Sequence, residues 1–336
     1  MKGNCSKEYL SSGASIVLSV WFSLSGLAAI TGNVVVLWLF YKHKSLRTIS
    51  NRFLASLSVA DVFVGLVIDP VWIVIVCWIQ PRGQKNLITL TKMLWIQTTA
   101  ATTLNSCCVS IDRFTAIRFP FRYQDILTKR RCLAVIILVW FISLSLSFPI
   151  LFFQPGRDRK ELLVSITCTM FLAPLLVVSF CYIIIFKVAR KQFGRILAAK
   201  KLPDSSENIR ARVTQNFKAI KTVGFVLSAC IITWMPSVVL LLVDLYYAKE
   251  ERCRIRKVKS VVLPWVQAIA FTSSAINPLI YYLRNSDFRR AFRRTFHWLP
   301  FVHEQDALHL RAQPERNRFI RNVETCGNLT TKETEV

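Results

Sequence analysis

Histidine is scarce in this sequence, with four in 336 residues. His43, His297, His303 and His309 are joined to no nucleophile and no metal-ligand set, so no catalytic constellation is present. Apolar runs that alternate with polar residues are also missing, which excludes a membrane β-barrel, whose strands face lipid and lumen by turns. There are no internal repeats, and charge within the apolar runs is essentially Asp61 alone. A transporter or channel calls for charges along a path and paired broken helices, so that class is disfavoured. Acidic residues number 19 against 44 lysines and arginines, a net charge of +25. Such a charge can signal a nucleic-acid partner, but here much of it lies in short segments between apolar runs, where positive residues mark the cytosolic face of a membrane protein.

What the sequence has in quantity is hydrocarbon. Hydrophobic residues make up 53%, Phe alone occurs 23 times, and mean hydropathy is +0.40. A helix rising ~1.5 Å per residue needs about 20 residues to cross a ~30 Å hydrocarbon core. Seven apolar runs approach or exceed that length, at roughly 16–41, 51–78, 88–117, 131–153, 162–189, 217–247 and 258–283. Lipid offers no hydrogen bonds to a bare backbone, so each run is predicted to be helical. The predicted fold is an all-α membrane protein, a seven-transmembrane helix bundle with a short amphipathic eighth helix. The first run is too long for a cleavable signal and reads as a signal anchor.

Orientation follows from the flanks. Lys42, Lys44, Arg47 and Arg52 follow the first run, against Lys2 and Lys7 before it, which predicts an extracellular amino terminus. The predicted parts are an extracellular segment 1–15, the bundle 16–283, the amphipathic helix 284–298 and a disordered cytosolic tail 299–336. In the eighth helix Phe288, Phe292 and Phe296 recur at helical spacing with arginines between them, which suits a helix lying against membrane lipids. Between the last two runs stand Lys249, Arg252, Arg254, Arg256, Lys257 and Lys259, which read either as a solvated loop or as a positive vestibule for an anionic ligand. Cys107, Cys108, Cys132, Cys181 and Cys230 lie inside apolar runs and read as small packing residues.

Polar groups inside the runs are the informative positions, because hydrocarbon penalises them. Gly32-Asn33, the Leu57-to-Asp61 stretch, Asp112-Arg113-Phe114, Trp140, Pro174 with Tyr182, Thr233-Trp234-Met235-Pro236 and Asn277-Pro278-Leu279-Ile280-Tyr281 occur in that order on the successive runs. In this ordered set, with Phe288-Arg289 at the start of the eighth helix, the sequence resembles the rhodopsin-like G-protein-coupled receptors over roughly residues 16–297. The resemblance implies a plasma-membrane, multi-pass receptor with no enzymatic activity. Its partners would be a heterotrimeric G protein, an extracellular ligand of unknown identity and arrestin. It assigns Asp112, Arg113, Tyr182, Trp234, Pro236, Asn277, Pro278 and Tyr281 to the switch. Arg113 keeps its charge and rests on Asp112, then turns toward Tyr182 and the Gα subunit as the sixth span swings at Pro236. Asp61, Thr102, Ser273 and Asn277 would hold Na⁺ as in many family members, or Asp61 is hydrated or protonated with no ion. The ligand pocket implied is bounded by Trp95, Thr99, Trp234, Leu241, Trp265, Gln267 and Phe271.

Four departures stand against the family pattern. The usual cysteine at the outer end of span three is Ile88, leaving Cys5, Cys77, Cys168 and Cys253 as outer candidates, with Cys5–Cys253 one possible bridge. The acid that binds ammonium in amine receptors is Trp95, which disfavours an amine, although Trp95 offers a cation–π face and Asp69 or Asp244 a charge. The lysine that retinal needs in span seven is Phe271, which disfavours an opsin more strongly. The acid of span six that restrains the arginine is Asn216, which predicts raised basal activity. At the ends of the chain, Asn4-Cys5-Ser6 fits a glycosylation acceptor, and the final Thr334-Glu335-Val336 resembles a PDZ-domain ligand through Thr334 and Val336.

Overall fold

The computed structural model describes residues 10–79, 85–119, 121–152, 157–199, 232–240, 243, 252–284 and 286–297. All regular secondary structure among them is helical. Helix α1 runs Ser12–Lys42 and begins where the Ser11 hydroxyl accepts from the Ala14 amide at 3.2 Å. Helix α2, Ile49–Phe63, is capped the same way by Thr48. It passes without a break through a π-helical segment, Val64–Ile68, a single α turn, α3 at Asp69–Trp72, and a second π-helical segment, Ile73–Ile79. Next come α4, Lys85–Arg118, the short α5, Tyr123–Ile126, and α6, Lys129–Ser147, the last capped by Thr128. A turn, α7 at Pro149–Phe152, precedes α8, Arg157–Ala199. Residues 232–240 are helical, then α9 spans Arg252–Arg284 and α10 spans Ser286–Thr295.

Helix α4 is the hub, packing against α2, α6 and α8, while α1 packs along α2 and α9. Polarity is reversed relative to a protein built for water. Asn33, Ser58, Asp61, Asn105, Ser143 and Ser147 are fully buried, while Leu24, Ile137, Phe141, Leu176 and Phe180 are more than 50% exposed. Among the described residues, polar groups inside and apolar side chains outside fit lipid as the solvent. Three of the described helical stretches, Ser12–Lys42, Ile49–Ile75 and Lys129–Phe152, are long and apolar enough to cross a membrane by composition. Central α4 falls short because its core face is built of Thr98, Thr99, Thr102, Asn105 and Ser106, all buried.

The expectation that Asp61 is essentially the only charge within the runs is corrected here. Asp69 is also buried, at 2% exposure, because the turn it opens faces α1 at Gly26 instead of lipid. Cys77, Cys107, Cys132 and Cys181 are buried and form no disulfide, which removes Cys77 from the bridging candidates. Helix α10 belongs to a unit of its own from Asp287 onward. Within it Phe292 and Phe296 pack ring to ring at 4.6 Å, with Arg289, Arg290, Arg293 and Arg294 in the same helix. Asn4, Cys5, Asn216, Leu241, Thr334 and Val336 lie outside the described residues.

Candidate switch and ligand site

At the Arg113 end of α4, Asp112 and Arg113 form an ion pair, with Nε 3.4 Å from Oδ2. The carboxylate is 1% exposed and the guanidinium side chain 25%, so the acid is fixed and the base reaches the edge. The other carboxylate oxygen, Oδ1, accepts the Tyr123 hydroxyl at 2.7 Å, and that hydroxyl also meets the Ser50 hydroxyl at 3.1 Å. Burial and the neighbouring Asp112 charge push the Tyr123 phenol up to about 12, so it remains a donor at any physiological pH. Sequence reading missed Tyr123 and Ser50. No helical period joins Tyr123 to Asp112, since the chain turns between them, and the pairing exists only once α2, α4 and α5 meet.

Tyr182 packs with Cys107 and Val178, six residues along α4 from Arg113, or about 9 Å at the helical rise. Pro174, one of the α8 landmarks, offers its carbonyl to the Cys107 thiol at 3.8 Å. Trp140 of α6 donates through Nε1 to Ser56 Oγ at 3.1 Å, tying α6 to α2.

The middle of the bundle holds a polar line. Asn277 of α9 donates to Asp61 Oδ2 at 2.8 Å. Asn33 of α1 donates to Ala29 O at 2.9 Å and to Ser274 O at 3.0 Å, so one amide bridges α1 to the α9 backbone. The approach is close: a Cβ on Gly32 would stand 2.9 Å from Pro278 Cβ and Cγ.

Hydroxyls on α4 divide into two sets. Thr91, Thr98, Thr103, Ser106, Ser110 and Thr115 each donate to the carbonyl four residues back, which satisfies them in an apolar setting. Thr99 and Thr102 are buried and have no hydrogen-bond partner among the described residues. The orphaned Thr102 oxygen, the second Asp61 oxygen and the buried Ser273 and Asn277 side chains are hard oxygen donors of the kind a sodium ion takes.

Farther from Arg113 along α4, Trp95 joins an aromatic cluster with Trp72, Trp234, Trp265 and Phe271, drawn from four helical stretches. Trp95 Nε1, Thr99 Oγ1 and Gln267 Oε1 are without partners among the described residues. Of the seven predicted lining residues, Trp95, Trp234, Trp265 and Phe271 share this aromatic cluster, Thr99 and Gln267 are buried with a polar atom unspent, and Leu241 lies outside the described residues.

The family model for the 7 transmembrane receptor (rhodopsin family) matches residues 32–281. This chain belongs to that family. The receptor is similar to trace amine-associated receptor 9 of Rattus norvegicus, 29% identical over 316 residues, covering 87% of this chain and 90% of that one. It is similar to histamine H2 receptor of Canis lupus familiaris, 29% identical and covering 88% and 84% of the two chains. Octopamine receptor beta-2R of Chilo suppressalis is 26% identical, covering 80% and 76%. As a member of this family the chain is a multi-pass plasma-membrane receptor and not an enzyme. Its partners are an extracellular ligand and a heterotrimeric G protein.

Proposed function

We propose that the receptor converts binding of a small extracellular amine into G-protein activation by releasing Arg113 from Asp112. The observation that carries the reading is the capped ion pair: Arg113 Nε on one carboxylate oxygen and the Tyr123 hydroxyl on the other. A permanent cation held at a helix end by one acid is a two-state element, because removing the acid leaves it to seek other acceptors. In this reading the seven runs all cross the membrane, the amino terminus is outside, and Arg113 faces the cytosol. Ligand contact reaches Trp234 through the aromatic cluster, and the sixth span swings at Pro236, where the backbone lacks a helix hydrogen bond. Asn277, Pro278 and Tyr281 of α9 couple that motion to Asp61. Arg113 then engages Tyr182 and the Gα subunit.

Asp61, Thr102, Ser273 and Asn277 would hold Na⁺ in the resting state, where a bound cation supplies charge compensation for the buried acid. The segment 284–298 is read as a helix lying on membrane lipids. Arrestin, a PDZ-domain protein on Thr334 and Val336, and glycosylation at Asn4 complete the reading. For the ligand, the support is the set of relatives named for trace amines, histamine and octopamine. An anionic or peptide ligand drawn by Lys249 and the basic residues of the first turns of α9, or a lipid, is the alternative.

The test is G-protein dissociation in cells expressing wild type or Arg113→Ala at matched surface levels, challenged with a panel of small amines, acidic peptides and lipids. A response to an amine that vanishes in Arg113→Ala supports the reading. Ion or solute flux that survives the substitution would instead favour a channel or transporter.

A further inference from the structure

One buried acid is left over from this machinery. Asp69 opens α3, two helical turns beyond Asp61, and is 2% exposed. Neither of its carboxylate oxygens has a hydrogen-bond partner among the described residues, nor does any described basic side chain pair with it. The backbone is shaped around it. A Cβ on Gly26 would lie 2.8 Å from Asp69 Oδ2, and a Cβ on Gly65 would lie 2.6 Å from the Gly26 carbonyl oxygen, so only glycines let α1 close onto this acid. The chain is in π-helical register on both sides of the turn, a departure that recurs at functional sites.

A buried carboxylate without a partner is costly, and membrane spans keep such groups where something meets them. The neighbourhood indicates the partner's charge. Trp72 is one turn from Asp69 on the same element, and Phe22 is one turn from Gly26 on α1. Both rings pack on Phe271 of α9, with centroids 6.2 Å and 6.3 Å away. Aromatic faces next to a bare carboxylate attract an alkylammonium through ring quadrupole and charge together. Phe271 also belongs to the cluster of Trp95, Trp234 and Trp265, so Trp72, one turn from the acid, and Phe22, one turn from Gly26, both lead into the predicted ligand-pocket cluster.

We propose that Asp69, one turn from Trp72 and set against α1 one turn from Phe22, is the ammonium-binding subsite of this receptor, in place of the acid that Trp95 replaces on α4. The inference rests on the amine reading of the ligand. Inorganic Na⁺ shares the cationic chemistry, and the experiment separates the two.

Thermal unfolding of the purified receptor is followed against 2-phenylethylammonium chloride, neutral 2-phenylethanol, NaCl and KCl. The variants are Asp69→Leu, Asp69→Asn and, as a charge control outside the site, Asp125→Asn. Exchanging an unpaired buried charge for an apolar group of similar size is often neutral or stabilising, so Asp69→Leu is expected to fold, and Asp69→Asn keeps the shape should it not. The expected result is that the ammonium raises the wild-type Tm while the alcohol does not. Both Asp69 variants need at least tenfold more ammonium for the same shift, and Asp125→Asn matches wild type. An ammonium shift unchanged in the Asp69 variants overturns the subsite and leaves the amine reading standing. A Tm shift by NaCl alone, lost in those variants, assigns the acid to the inorganic ion and overturns it. No ammonium shift in wild type overturns both readings.

Discussion

Changing Tyr123 to Phe removes one oxygen and leaves the ring, which makes it a clean perturbation of the switch. The lost hydroxyl donates to the buried Asp112 carboxylate at 2.7 Å and meets Ser50 at 3.1 Å. A hydrogen bond to a charged group contributes roughly 1.5–3 kcal/mol. Tyr123 is only part-buried, so solvent competes and the lower end applies, about 1–1.5 kcal/mol. If that bond exists only while Asp112 holds Arg113, its loss shifts the resting–active equilibrium by roughly five- to tenfold, at ~1.4 kcal/mol per factor of ten. The assay is ligand-free nucleotide exchange on G protein at matched surface expression. The expected result is a several-fold rise for Tyr123→Phe, with no further rise when it is added to Asp112→Ala, because the two act through one carboxylate. Basal exchange equal to wild type, or a full additive increment in the Asp112→Ala background, would refute this reasoning.

Other consequences follow from the same packing. Gly32→Ala places a methyl 2.9 Å from Pro278 and should cost about 1–3 kcal/mol, read as a lower Tm of the purified receptor. If Asp61 holds Na⁺, sodium should lower agonist potency in wild type, and Asp61→Asn should abolish that sodium dependence in a concentration–response series. Asn216→Glu would supply the acid that the family resemblance expects at this position and should lower ligand-free signalling several-fold, measured as basal G-protein dissociation.

Much of the bundle was legible in the sequence because lipid imposes a simple rule on run length and backbone pairing. The first four predicted runs begin and end within a few residues of described helices, helped by caps such as Thr48 and Thr128. By contrast, α8 continues ten residues past its predicted end, α9 starts six residues before its predicted start, and most of run 217–247 lies outside the described residues. The polar motif residues were legible as positions but not as pairs: Asn33 reaches the α9 backbone, and Asn277 donates directly to Asp61 with no water or ion between them. What periodicity could not show depends on which face a turn presents after a change of register. Asp69 is an example: two π-helical segments rotate the span around it, so its burial against Gly26 could not be read by counting residues. Nor could composition separate Thr99 and Thr102 from the other α4 hydroxyls, because whether a threonine bonds its own helix or turns away is a choice of rotamer. Tyr123 was hidden for a third reason, its partner lying across a turn of the chain.

The account depends on Arg113 being restrained by Asp112 and active when released. With purified receptor in nanodiscs and a heterotrimeric G protein, nucleotide exchange should rise without ligand for Asp112→Asn and fall to background for Arg113→Ala, both proteins melting close to wild type. Movement of both variants in the same direction, or exchange by Arg113→Ala equal to wild type, would contradict it.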